Sequence, residues 1–373
     1  MKKNSFAFIA MISWIVVLIF LLSILVYGLS RSPYYTVSSS VNTTMIPMTS
    51  DENFLIKEEF FSIDDFTSLS FKSTFESLMV YVTDTDDLVV YQYGNPELDR
   101  EFISSYGNGN LELTLPGRDH SDNFFDFSFD FNLPRLEISI PEKYINDVFL
   151  TSSSGSIVIS DNPVWKDASV KSSSGDITVG VINCNSFTAE SSSGSINIES
   201  IECNNDAKIK ASSGSIYTHE LFSLNADFQT SSGSIEVQDV IVEKNVKLSS
   251  NSGAIQFNSI ICEEFYIKTT SGGFSTDEII GLGSVDSSSG SLNINNFTIL
   301  GDTKVSSKSG SIYISTVPSQ NYKLNLQTNS GGIDCSFPID YENERQNKAS
   351  GTVGDGSIGT LSVSASSGSI NID

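Results

Sequence analysis

The string Ser-Ser-Ser-Gly-Ser-Ile, or a close variant, recurs along the C-terminal part of this 373-residue chain. Its glycine falls at Gly155, Gly175, Gly194, Gly214, Gly233, Gly253, Gly272, Gly290, Gly310, Gly331 and Gly368. The spacings run from 18 to 21 residues up to a last interval of 37, which Gly351 divides into 20 and 17, so a degraded copy is expected there. Self-similarity at such a period marks a stacked array, in which one repeat buries its apolar side chains only against its neighbours.

The columns of the repeat say how it folds. Two residues after each glycine stands an apolar side chain, from Ile157, Ile177 and Ile196 through Ile370. Four after it the residue is usually apolar again, as at Ile159, Val179 and Val237. Five before it come Leu150, Val170, Ala189, Ile209, Phe228 and their successors, and seven after it Ile182, Ile201, Leu221 and Val240. A spacing of two on both sides of a turn predicts short strands with one inward face each, and three inward segments per coil. The predicted fold is all-β: a single-stranded parallel β-solenoid, or β-helix, of about 10–12 coils of ~20 residues. Each corner glycine is expected to supply the positive φ of a sharp turn, and the serines to bond nearby backbone and the equivalent serine one coil away. A regular hydroxyl array of this kind also suits a glycan, ice or a protein partner.

Upstream the pattern changes. Lys2 and Lys3 precede an uncharged stretch from Phe6 to Tyr27, and the next charge is Arg31. At 1.5 Å per residue such a helix spans about the ~30 Å hydrocarbon core, longer than a cleavable signal's apolar region. Residues 1–31 are thus expected to be a transmembrane anchor, although Val26-Tyr27-Gly28 would serve as a cleavage site. The positive-inside rule puts the N-terminus in the cytoplasm and the remainder outside, as a single-pass membrane protein. Residues 32–50, rich in Ser and Thr, read as a linker. Residues 51–147 read as a β-rich N-terminal cap, with strands at 78–82, 88–93, 111–115 and 136–140 and an alternating run at Phe125, Phe127, Phe129 and Phe131. Residues 148–373 hold the repeats.

Chemistry is sparse. The chain carries 45 acidic and 21 basic side chains, a formal charge of -24, which argues against nucleic acid because phosphate binding draws on Lys and Arg. Asp84, Asp86 and Asp87 lack the glycine and glutamate of a calcium loop, since Val89 and Asn95 stand in those places. Four cysteines and the two histidines, His120 and His219, show no zinc-ligand spacing. Gly354, Gly356 and Gly359 match the dinucleotide glycine spacing, but a strand pattern follows where a helix is required. No catalytic, cofactor or metal residue is assigned, and the chain is expected not to be an enzyme. Cys184 and Cys203 both lie nine residues after a corner glycine, in adjacent coils. Neighbouring strands stand ~4.7–4.9 Å apart, so the two are expected as a disulfide bridge or as stacked free thiols. Cys262 shares the column three coils beyond, and Cys335, four after its glycine, reads as a small buried hydrophobe.

The segment Leu136-Glu137-Ile138-Ser139-Ile140-Pro141, the serial Ser-Ser-Gly-Ser/Asp-Ile coils and the ending from Gly351 to Ile370 together resemble the bacterial putative adhesin family. The resemblance covers residues 54–373 and implies a membrane-associated β-solenoid with no catalytic residues to carry over. The expected role is that of a non-enzymatic extracytoplasmic protein presenting an acidic solenoid to a surface ligand. The alternative is an envelope accessory that binds another membrane protein. A glycan-active β-helix enzyme comes third.

Overall fold

The computed structural model describes residues 54–96, 99–117 and 134–373. The expected anchor, the linker, the phenylalanine run at 125–131 and His120 lie outside the described residues. Among the described residues every regular element is a strand, and no helix is long and apolar enough to cross a membrane. Glu52–Asp373 is one compact unit.

Alternation builds the central coils. Ile177–Ser191, Ile216–Thr230, Ile235–Ser250, Ile255–Thr269, Phe274–Ser287 and Leu292–Ser307 each run from just after one glycine corner to just before the next. Along each, inward residues are buried and outward ones exposed or half-buried. Neighbouring coils pair parallel and in register: Ile177 faces Ile196, Ile216 faces Ile235, and Ile255 faces Phe274. The inward columns recognised in the sequence form the core, and two more join them. Seven residues before the glycine stand Phe187, Ala207, Ala226, Val246 and Phe265; nine after it stand Cys184, Cys203, Val242 and Cys262; all are buried. Each fully buried Ile, Leu or Phe is worth ~1.5–3 kcal/mol gross, so the ladder has to run through many coils to offset backbone ordering.

Coil length varies by a residue or two, and the register shows where the difference goes. Shifts occur between Ser223 and Asn225, Ile241 and Asn245, Ile261 and Glu264, and Gly281 and Gly283. All lie at the corner following the ninth position after the glycine. One further shift, between Ile294 and Phe297, lies at the corner before the seventh position, where Leu292–Ser307 meets Ile312–Thr316.

The corner glycines serve a different purpose from the one expected. None has the positive φ of a left-handed turn; among the described glycines that conformation is confined to Gly109, Gly281, Gly283, Gly354 and Gly356. Instead each lies against the coil before it. A Cβ built on Gly214 would stand 2.0 Å from the Gly194 carbonyl oxygen, and one on Gly233 2.0 Å from that of Gly214. Glycine is required here because the corners stack backbone on backbone. The first residue of the motif turns inward, and in several coils its hydroxyl closes the corner: Ser250 Oγ donates to the Gly253 carbonyl at 2.7 Å and Thr269 Oγ1 to that of Gly272 at 2.6 Å, whereas the buried hydroxyls of Ser172 and Ser191 make no hydrogen bond. A coil-to-coil hydroxyl bond occurs between Ser73 and Ser152 at 3.1 Å, while most coil-to-coil bonds at the corners are backbone, such as Ser174 N to Ser153 O at 2.9 Å.

Eight turns follow chain order between Gly155 and Gly310. The expectation of about 10–12 successive coils fails beyond them, because at both ends the stack departs from chain order. Ser68–Ser73 pairs parallel with Asp147–Ser152 on one side and Asn110–Thr114 on the other. Ser77–Thr83 likewise lies between Ile157–Ile159 and Arg135–Pro141. The first coil of the chain is therefore the second layer in space. At the far end Thr360–Ala365 is inserted between Leu292–Ser307 and Tyr322–Thr328, so the last coil is again the penultimate layer. Gly368 rests on Gly310, and Gly331 on Gly368.

Antiparallel strands then close each end. Phe54–Ser62 and Asp87–Gly94 pair beside Arg135–Pro141, and Lys348–Val353 pairs with both Tyr322–Thr328 and Ile339–Tyr341. Covering Arg135–Pro141, Asn110–Thr114 and Tyr322–Thr328 in this way removes most of the open parallel edge and leaves the three-residue strand Ile333–Cys335 as an edge. Gly351 belongs to this cap, so the degraded coil expected there is absent. Cys335 is half-buried for the same reason: its coil is the outermost layer and has Ile372 on one side only.

Candidate interaction surface

With the inward columns occupied by core, variation between coils is carried by the outward ones. Six and four residues before each glycine, the outward columns carry Lys171, Lys208, Lys210, Lys247, Lys268 and Lys304, against Glu190, Asp227 and Asp286. Some of these charges pair from coil to coil. Glu190 accepts Lys171 at 2.9 Å and Lys208 at 3.0 Å, and the two ammonium groups hold its carboxyl below the usual carboxylate range. At the corner ridge the second and third residues of the motif are mostly exposed hydroxyls, as at Ser153 and Ser154 or Ser212 and Ser213.

The third face differs from both. Its two inward columns, seven and nine after the glycine, leave a single outward column between them. In four successive coils that column is apolar: Phe222 faces Ile241, Ile241 faces Ile261, and Ile261 faces Ile280. Phe222 and Ile241 are 39% and 43% exposed, which makes the ladder a solvent-facing stripe. The corners on its two sides are acidic. Glu220, Asp239 and Glu278 stand six after their glycines, and Glu243, Glu263 and Glu264 ten or eleven after theirs, with Lys244 among them. Sequence reasoning passed over this stripe. Its trace was two adjacent apolar residues, such as Leu221-Phe222 and Ile260-Ile261, where strict alternation allows one.

The thiols are brought together. Cys184 and Cys203 are directly paired, both buried, with their Sγ atoms 2.9 Å apart and both free. The mutual hydrogen bond and burial hold the Cys203 thiol far above its ordinary range, and burial with the Glu264 charge pushes that of Cys262 up to about 12. Thiols held protonated are poor nucleophiles and poor metal ligands. His219 is half-buried on the outer surface of its coil. Gly354 and Gly356 form the positive-φ turn leading into Thr360–Ala365, a strand, which is not the setting of a dinucleotide site. Among the described residues no three His, Cys, Asp or Glu side chains gather as a metal group.

No curated protein matches this chain. Three solved structures align over most of their length. One, described as a putative cell adhesion protein from Clostridium sporogenes, is 13% identical, covering 85% of this chain and 98% of that one, with a TM-score of 0.19. Another, described as a putative adhesin from Bacteroides fragilis, is 12% identical over 70% of this chain and 96% of that one, with a TM-score of 0.30. A structure described as a putative lipid binding protein from Parabacteroides distasonis is 15% identical over 85% and 96%, with a TM-score of 0.31. Scores this low carry no argument about what this chain binds. The match to a sequence family is of another kind, because it spans nearly all of the described solenoid. The Toastrack DUF4097 family matches residues 66–223 and again residues 205–373, and the chain belongs to that family.

Proposed function

We propose that this chain is a non-enzymatic binding scaffold, held at the outer side of a membrane by residues 6–27 and presenting its solenoid for surface interaction. The observation that carries this reading is the sorting of side chains by face. The core columns repeat from coil to coil, while lysines collect on one outward face and carboxylates and apolar residues on another. Clustered charge and exposed apolar residues on a rigid frame are features of recognition surfaces. The acid-flanked apolar stripe favours a protein as the partner.

Fractionation of cells expressing the full chain tests the reading. The protein is expected to stay with membranes through a carbonate wash, and external protease is expected to release the solenoid from intact cells. A soluble mature protein beginning near Leu29, or a solenoid cut only after lysis, would refute the anchoring or the topology. The same preparation is expected to turn over no polysaccharide. A hydrolysis or elimination product abolished by changing a single Asp would establish an enzyme instead.

A further inference from the structure

We infer that the stripe Phe222, Ile241, Ile261 and Ile280 is the docking site for a cationic amphipathic helix of a partner protein. The inference rests on the scaffold reading and names the chemistry of the partner. Spacing argues for a helix. The four rungs are in register on adjacent strands, so they repeat every ~4.8 Å and span about 14 Å. A helix presenting one apolar residue per turn repeats every 5.4 Å, so three turns cover about 16 Å and fall out of step by only ~2 Å. An extended strand presents same-side residues about every 6.8 Å and would be ~6 Å out of step over the same run. A helix lying along the solenoid axis is the better fit, seated on one narrow face between two corners.

Charge argues for its sign. The corners that flank the stripe carry Glu220, Asp239 and Glu278 on one side and Glu243, Glu263 and Glu264 on the other, with Lys244 as the lone cation among them. An apolar seam bordered by Lys or Arg on both sides complements that arrangement. A second copy of this chain fits badly. Stripe against stripe would bring these carboxylates together, and the lysine face offers no apolar column, since Phe149 and Tyr266 lie six coils apart there among polar side chains. Anionic lipid would be repelled by the same carboxylates.

The test uses the full-length protein in nanodiscs of zwitterionic lipid, with empty nanodiscs as baseline. The probe is an 18-residue Leu/Lys peptide with leucine on one helical face. A scrambled peptide of the same composition serves as control. The amphipathic peptide is expected to bind at least about tenfold more tightly than the scramble, and to weaken as NaCl rises. Ile241→Thr with Ile261→Thr keeps β-branched residues at outward positions and leaves every charge in place. It is expected to cost about tenfold in affinity with the thermal midpoint retained. Glu243→Gln with Glu263→Gln provides a second, charge-only variant and is expected to weaken binding and flatten its salt dependence. Equal binding of peptide and scramble, or no loss in the isoleucine variant, would overturn the inference as mere charge attraction. So would a wild-type dimer that the isoleucine variant dissolves, since a second copy would then cover the stripe. Any of these outcomes would leave the membrane fractionation result untouched.

Discussion

Gly214 has room for a hydrogen where a methyl would press on the Gly194 carbonyl, and the same contact recurs from corner to corner. Gly214→Ala must push two backbones apart, and overpacking of this kind costs about 1–3 kcal/mol or more. Ser213→Ala, one residue away on the exposed ridge, removes a hydroxyl and is expected to cost ~1 kcal/mol or less. Ile216→Asp, two residues after Gly214, acts on the core. It places an unpaired carboxylate in the core, at a cost on the order of several kcal/mol. Denaturant midpoints of the three variants check the ranking. Equal loss for Gly214→Ala and Ser213→Ala would mean that the corner does not stack as described.

Glu76 is the exception to the corner rule. It stands where later coils have glycine, with its own carbonyl against Gly155, and its side chain is buried. Burial raises its carboxyl pKa, although backbone N–H groups partly oppose this, and the nearby Asp99 charge adds to the rise. A carboxyl whose folded pKa lies above the unfolded one binds its proton more tightly in the folded state. Its contribution is therefore present below the unfolded pKa and is lost as pH rises through the folded one. Glu76→Gln is expected to melt higher than wild type at about pH 7, with the difference vanishing below about pH 4. A difference that is constant across pH would contradict the assignment.

Among the elements, the middle of the solenoid was largely legible in the sequence. Apolar residues at fixed offsets from each glycine identified the inward columns, because a pleat with period two leaves no other way to bury them together. The expected strands at 78–82, 88–93, 111–115 and 136–140 correspond to Ser77–Thr83, Asp87–Gly94, Asn110–Thr114 and Arg135–Pro141. Two things were not legible. The corner motif shows that a turn needs glycine, but not whether the need is for positive φ or for close approach. The stacking order of the ends was hidden for a different reason. Ser68–Ser73 and Thr360–Ala365 have the same alternation as any other layer, and alternation says which face is inward without saying which strand is next. The same limit hid the docking stripe, which depends on what four coils place side by side.

Cysteines report on order within the middle coils. Cys184 and Cys203 are paired on neighbouring strands, whereas Cys203 and Cys262 are three layers apart. A short bifunctional thiol reagent left with the reduced, folded protein is expected to link the first pair, slowly, and never the second. In the native protein both thiols of the first pair are buried, and alkylation is expected to be slow at about pH 7, because the thiolate is the reactive form. Rapid native alkylation would mean that this part of the ladder opens far more readily than its packing implies.

At the scale of the whole molecule, the described residues form one ladder whose two ends are built by the same device. Each terminal segment of the solenoid is inserted one layer in, and the segment beside it in sequence forms the outer layer under an antiparallel cap. Such an arrangement ties the first and last coils to two neighbours each, which protects them from fraying and leaves only the short strand Ile333–Cys335 as an open parallel edge. The rod so closed keeps its outward columns in a fixed array, and the proposed function depends on that array. Every assignment of a residue to a face in turn depends on the order of the layers. The interleaved C-terminal end tests that order most directly. Ser306 is in register with Ser364, and Ser364 with Gln327, so one strand spacing separates the first two and two spacings separate Ser306 from Gln327. With Ser306→Cys and Ser364→Cys, a thiol reagent no longer than one spacing of ~4.8 Å is expected to form the cross-link in the folded protein. With Ser306→Cys and Gln327→Cys it is expected to form none; a link in that second variant and not in the first would show that the coils stack in chain order, contradicting the interleaved solenoid.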